Sequence, residues 1–198
     1  MPTGNGENCL PSVVPASLQT ARLLLRTPVE SDRRAYLAAR AANQAFLQPW
    51  EPLRPAESPD ESFTRLLANV DSDTTQRTFV FTADGTLIGG VSISNISRGP
   101  FQSASVGYWL IESAQGQGYM REALLAMLAH AFGAASTGGL GLHRVECNVM
   151  PRNAPSIAVA RRIGFREEGF SPRYLQINGV WEGHLRFAMT AEEFSITA

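Results

Sequence analysis

The 198-residue sequence contains no lysine: all 17 of its basic residues are arginine. Covalent chemistry through a lysine amine is therefore excluded, and so is a Walker-type phosphate loop, which ends on Gly-Lys-Ser/Thr. Cysteine is almost as scarce. Cys9 stands in a polar start and Cys147 in an apolar run, so no disulfide framework is expected and a reduced, cytoplasmic setting fits. Cys147 reads as a small core residue, not a nucleophile. His130, His143 and His184 share no ligand spacing, and no metal is expected. No apolar run reaches bilayer-spanning length. A net charge of −1 gives no general attraction for nucleic acid or membrane surfaces.

What is present is the composition of a folded protein, with 44% hydrophobic and 18% charged residues. Residues 1–20 carry Gly4, Gly6, Pro11 and Pro15 and lack the basic start and apolar core of a signal peptide. They read as a flexible arm, followed by one domain over residues 21–198. Charge is unevenly spread: eight acidic and five basic residues from Val29 to Asp73, but four and seven from Gly141 to Met189. The second half suits an anionic ligand and the first a cationic one.

The organising stretch runs from Ser103 to Met127. It opens as a strand rich in β-branched and aromatic residues, through Tyr108, Trp109, Leu110 and Ile111. It closes with Met120, Ala123, Leu124, Met127, Leu128, Ala131 and Phe132 at the spacing of one helical face. Between lie Gln115, Gly116, Gln117, Gly118 and Tyr119. A strand, a glycine turn and a helix start make a phosphate cradle, because first-turn N–H groups lack helical acceptors and the helix dipole adds positive charge there. The two glycines let an anion approach the backbone. A dinucleotide fingerprint would need a third glycine and a later acidic residue; neither is in place.

Around this stretch the patterns predict a strand at Leu23–Arg26 and a helix from Pro28 to Asn43 capped by Ser31 or Asp32. A Pro- and Trp-containing loop from Phe46 to Pro59 and a helix from Asp60 to Val70 follow. A hairpin then turns at Asp84-Gly85. After the central helix come a strand at Arg144–Val149, a short helix opened by Asn153 and Ser156, and a hairpin turning at Asn178-Gly179. The glycine loop resembles the pyrophosphate loop of the GNAT acetyltransferase superfamily, Gln/Arg-x-x-Gly-x-Gly/Ala, with Met120 in the last position. The element order is also similar to that superfamily. Leu142-His143-Arg144, Met150-Pro151-x-Asn153-x-x-Ser156, Arg162-Ile163-Gly164-Phe165, Glu168-Gly169 and Tyr174-Leu175-x-Ile177-x-Gly179-x-Trp181 resemble its RimJ branch, which also carries Met where Met120 stands.

The resemblance implies an α+β fold: a mixed, mostly antiparallel twisted sheet of about seven strands, with helices on both faces. The strand of Tyr108–Ile111 would part from the strand of Glu146–Val149. It implies transfer of acetyl from acetyl-CoA to the N-terminal α-amine of a protein, the alanine of ribosomal protein S5 being the branch's reference substrate. The cofactor would contact Trp109, Leu110, Ile111, Gln115, Gly116, Gln117, Gly118, Tyr119, Met120, Asn153 and Ser156. Ser156 is the candidate for meeting the leaving thiolate, with Tyr108 and Glu146 as further catalytic candidates. Each has a structural alternative: Asn153 as a helix cap, Tyr108 as core, and Glu146 as a partner of Arg144. RimL-type relatives place a glutamate base where Leu175 stands, so no base is assigned. Other open readings are a small-amine acetyltransferase and a non-catalytic acyl-CoA-binding module. Oligomeric state stays open.

Overall fold

The computed structural model describes residues 17–52 and 57–197. The chain runs β1 (Leu18–Gln19), β2 (Leu23–Arg26), α1 (Arg33–Ala42), α2 (Gln44–Leu47), α3 (Pro59–Ala68) and β3 (Asp71–Ser72). It continues through β4 (Thr75–Thr82), β5 (Leu87–Ser97), β6 (Ser103–Leu110), α4 (Tyr119–Phe132) and β7 (Arg144–Val149). The last elements are α5 (Ala154–Ile163), β8 (Arg166–Ile177), β9 (Val180–Thr190) and α6 (Ala191–Thr197). All nine strands form one sheet in the order β1-β2-β4-β5-β6-β7-β9-β8, with β3 beside β4. The two strands beyond the expected seven, β1 and β3, are too short to leave a period in the sequence. Leu18 and Gln19, expected in the arm, pair with Leu25 and Leu24.

Strand alternation separates two cores. Phe79 and Phe81 of β4 join Tyr36 of α1, Phe63 of α3 and Leu87 on one face. Val80, between them, joins Val91, Leu124 and Val145 in the larger cluster on the other. Helices therefore cover both faces, α1 and α3 on the first, α4 and α5 on the second. The buried residues of α4 include Met120, Ala123, Leu124, Met127, Leu128 and Ala131, the face that the helical period predicts. Phe132 instead meets Phe194 of α6 at 5.4 Å between ring centres; α6 has no counterpart in the sequence reading.

The two early helices begin differently. At α3, Ser58 Oγ accepts the Glu61 N–H at 3.3 Å and Glu61 Oε2 accepts the Ser58 N–H at 2.8 Å, a reciprocal capping box. At α1 neither expected cap operates. A 3-10 turn at Glu30–Asp32 precedes the helix, and the buried Asp32 carboxylate accepts from Arg26 at 2.7 and 2.6 Å and from the Val29 N–H at 2.9 Å. An ion pair has taken the side chain that the local pattern offered to the helix. The expected loop after α1 contains the end of α2 and a 3-10 turn at Gln48–Trp50; its residues 53–56 lie outside the described residues. No described helix is long and apolar enough to cross a membrane.

One pairing in the sheet is parallel, β6 with β7, and it is short: Ser103, Ala104 and Ser105 meet Arg144, Val145 and Glu146. Beyond that point β6 stays with β5 as far as Leu110, and β7 stays with β9 as far as Val149. Val106–Leu110 and Cys147–Val149 thus border an open wedge in the middle of the sheet.

Candidate active site

The cradle forms where β6 hands the chain to α4. Gly116 and Gly118 have φ of 74° and 79°, in the left-handed region, and Gly118 is the N-cap of α4 with no side-chain cap bond. The first helical bond runs from the Glu122 N–H to the Gly118 carbonyl at 3.1 Å. Among the described residues the amides from Gly116 to Arg121 have no protein acceptor. A Cβ on Gly116 would meet open space. These bare, outward amides suit an anion such as a pyrophosphate. Gln115 and Gln117 turn their side chains back into the loop, to the Leu110 carbonyl at 3.4 Å and the Ser113 carbonyl at 3.0 Å. Met120 is buried in the core, so only its backbone faces the cradle.

Arg22, just before β2, is the residue of this corner that periodicity and motif do not reveal. Its Nε donates to Glu122 Oε2 at 2.7 Å and its Nη1 to the Gln117 carbonyl at 3.0 Å. Its guanidinium lies 4.7 Å from the centre of the Tyr119 ring. Glu122 also accepts from the Thr20 hydroxyl at 2.6 Å. Burial raises the Glu122 pKa, but the Thr20 and Arg22 hydrogen bonds outweigh it and the carboxyl is held below its usual range.

At the wedge, Tyr108 and Ser156 meet. The phenol oxygen of β6 lies 2.6 Å from Ser156 Oγ of α5 and 3.9 Å from Cys147 Sγ of β7. Burial pushes the Tyr108 hydroxyl well above the ordinary phenol range, and Cys147 up to about 12. Both stay protonated at neutral pH, so Cys147 is no thiolate nucleophile. Asn153 Oδ1 accepts the Ser156 N–H at 3.2 Å and caps α5, which fixes the turn that presents Ser156.

Glu146 is not with them. Alternation along β7 turns it to the opposite face from Cys147, where Arg186 and Arg144 hold it, Arg144 at 3.1 and 3.3 Å. Burial alone would raise its pKa; the two guanidinium groups reverse that and keep it low. Such an anion binds a proton poorly, and of the two readings of Glu146 the geometry fits the partner of Arg144. The Ile111 N–H donates to the Ile88 carbonyl at 2.9 Å, while its carbonyl accepts from the Ala114 N–H at 3.1 Å and keeps a second lone pair. Trp109 opposes Gly90 across the β5 pairing, and alternation turns Tyr108 and Leu110 toward the wedge.

On the other face of the wedge a cavity of about 740 Å³ opens between α1, α3 and the sheet, and Tyr108, Trp109, Tyr36, Arg40, Glu51 and Asn178 are among its lining. The cradle follows strand β6, Tyr108 of that strand borders the wedge and is among the cavity lining, and comparison with known proteins gives this arrangement a family. Residues 22–166 match the model of the acetyltransferase (GNAT) domain. The chain belongs to the GNAT acetyltransferase family. It is 31% identical over 184 residues to the [ribosomal protein uS5]-alanine N-acetyltransferase of Escherichia coli, covering 90% of this chain and 92% of that protein. It is 35% identical over 164 residues to the probable N-acetyltransferase YjcK of Bacillus subtilis, covering 79% and 88%. Among solved structures, Mycobacterium smegmatis RimJ in complex with CoA-disulfide is 34% identical, with a TM-score of 0.78 over 86% of this chain and 83% of that one.

Several residues of this GNAT acetyltransferase serve structure. His130 Nε2 lies 2.8 Å from Gln76 Oε1, both buried. His184 is buried against Tyr174, with ring centres 5.3 Å apart. Tyr174 also accepts from Asn148 at 3.2 Å and carries Arg186 over its ring, so it packs across the hairpin and does not line the cavity. Trp181 is 60% exposed. The acidic excess of the first half does not make an acidic cavity, because Glu51 is paired with Arg40 and Glu57 with Arg65. Among the described residues no three or more His, Cys, Asp or Glu side chains are grouped as a metal site would need.

Proposed function

We propose that this N-acetyltransferase moves an acetyl group from acetyl-CoA to the α-amine of a protein N-terminus, a ribosomal protein being the acceptor class suggested by its relatives. One observation supports the reading above all: the Tyr108–Ser156 hydroxyl pair stands at the wedge, and Tyr108 is also among the cavity lining. The residues fit the cofactor. The amides of Gly116 to Met120 would hold its diphosphate, and the wedge edges of Tyr108 and Leu110 its extended arm. Bound acetyl-CoA supplies an activated acetyl group whose thiolate is the leaving group.

The chain's own contribution is placement and a proton. Tyr108 and Ser156 share one short hydrogen bond, and the phenol also lies 3.4 Å from the Ser156 carbonyl; when Tyr108 donates to Ser156 Oγ, the serine hydrogen is the one left over. That hydrogen is positioned to meet a developing thiolate. The cavity delivers the amine from the opposite face. An α-amine has a pKa near 8, so a minority is neutral at pH 7 and can attack without a dedicated base. With Glu146 held by arginines and Leu175 apolar, its proton passes to solvent.

The test is to mix enzyme, acetyl-CoA and peptides beginning Ala or Ser, and to follow CoA release and peptide mass. An acetylated N-terminus is expected. Binding of acetyl-CoA without CoA release would instead mark an acyl-CoA-binding module. Tyr108→Phe and Ser156→Ala should each lower kcat about 100-fold, with acetyl-CoA affinity by calorimetry little changed. Turnover equal to the parent would remove the pair from the mechanism.

A further inference from the structure

The wall of the cavity carries a charged pair with hydrogen-bonding capacity to spare. Arg40 and Glu51 are joined by two parallel bonds, Nη1 to Oε1 at 2.6 Å and Nη2 to Oε2. The bonds use one hydrogen on each terminal nitrogen and one lone pair on each oxygen, so both groups can still bind a ligand. About a quarter to a third of each side chain remains exposed, 26% for Arg40 and 32% for Glu51. Both line the cavity beside Trp109, whose ring centre lies 5.4 Å from the Arg40 guanidinium.

The pair is held from three sides. Arg40 rises from α1. The Glu51 carbonyl accepts the Asn178 N–H of the β8–β9 turn at 3.0 Å. Arg152 donates to the Pro49 carbonyl at 2.9 Å, lies over the Trp50 ring at 4.9 Å and pairs with Glu182 at 3.1 Å. Segment Gln48–Glu51 is therefore strapped to the strand–helix corner and to the final hairpin, and a rigid donor–acceptor pair is a recognition element rather than a loose surface contact.

A guanidinium beside a carboxylate is complementary to a group that offers an N–H and a C=O side by side. One residue of an extended peptide does so, since in a strand its N–H and carbonyl point to the same side. Resting on the acceptor reading above, we infer that Arg40 and Glu51 read the main chain of the acceptor's second residue: Glu51 accepts its N–H and Arg40 donates to its carbonyl. The α-amine, one residue away, is then left to reach the wedge. The pair is neutral overall, so it offers a polyamine no net attraction, and a simple amine presents neither of the groups it reads.

The experiment compares a peptide beginning Ala-Gly with the same peptide carrying an N-methyl group on the second residue, and with alaninamide. The parent enzyme should show a KM about tenfold higher for the N-methyl peptide, the loss of one charge-assisted hydrogen bond, at similar kcat. In Glu51→Ala the two peptides should have equal KM. Glu51→Gln, which keeps the shape and a carbonyl acceptor, should retain part of the preference and guards against a folding defect in the alanine variant. Equal KM for both peptides in the parent enzyme, or a penalty that survives in Glu51→Ala, would overturn the inference while leaving N-terminal acetylation standing. Acetylation of alaninamide but of no peptide would overturn the acceptor reading, and this inference with it.

Discussion

Gly118 shows how much can depend on one missing side chain. At φ of 79° a residue with a Cβ is strained, and the strain would fall on the amides that open α4. Gly118→Val should weaken acetyl-CoA binding about tenfold or more in calorimetry, and unchanged affinity would contradict the cradle. The sequence shows this position clearly, because glycine in a strand-to-helix turn has few other reasons to be there. It does not show Arg22, whose contacts to Gln117 and Glu122 span 95 and 100 positions. It offers Arg144 as a partner of Glu146 but not Arg186, 40 residues away.

At the scale of elements, the helices divide by how they start. α3 is capped by Ser58 and α5 by Asn153, whereas α4 has no side-chain cap. A side-chain cap at α4 would occupy the amides that the cradle leaves open; caps at the others fix direction. Asn153→Ala should cost about 1 kcal/mol of stability in chemical unfolding. It should also lower kcat, because the cap orients the turn holding Ser156. Asn153→Asp, which keeps a capping oxygen, should restore both. Ser58→Ala should cost about 1 kcal/mol as well, but with kcat unchanged. If the two alanine variants had the same kcat, the cap of α5 would have no role beyond stability.

For the whole molecule, acid should act first through histidine. Burial holds His130 below the ordinary imidazole range despite the opposing charge of Asp71, and burial also lowers His184. The neutral rings are favoured in the fold, so their stabilisation is complete above the unfolded pKa of about 6.5 and is lost as pH falls through the folded values. Melting temperature should therefore drop as pH falls below about 6.5, and less so in His130→Gln. Carboxylates respond later: Glu168, held by Arg144 and Arg166, is brought down to about 2. A melting temperature flat through that fall in pH would show that these rings do not limit stability.

The longer elements and their order were legible because alternation, helical period, glycine turns and caps act within a few residues. Those same local rules placed Tyr108, Gly118, Asn153 and Ser156 on the right strand, turn and helix, and the resemblance of separated blocks supplied the family. Local patterns could not place two hydroxyls 48 positions apart within one hydrogen bond, or stop the β6–β7 pairing after three residue pairs, a parting that only the family resemblance implied. Nor could they join Arg40 to Glu51 in a wall roofed from the far hairpin. Those arrangements are decided by which surfaces pack together when the sheet closes, and a free energy set by distant partners leaves no period in the chain.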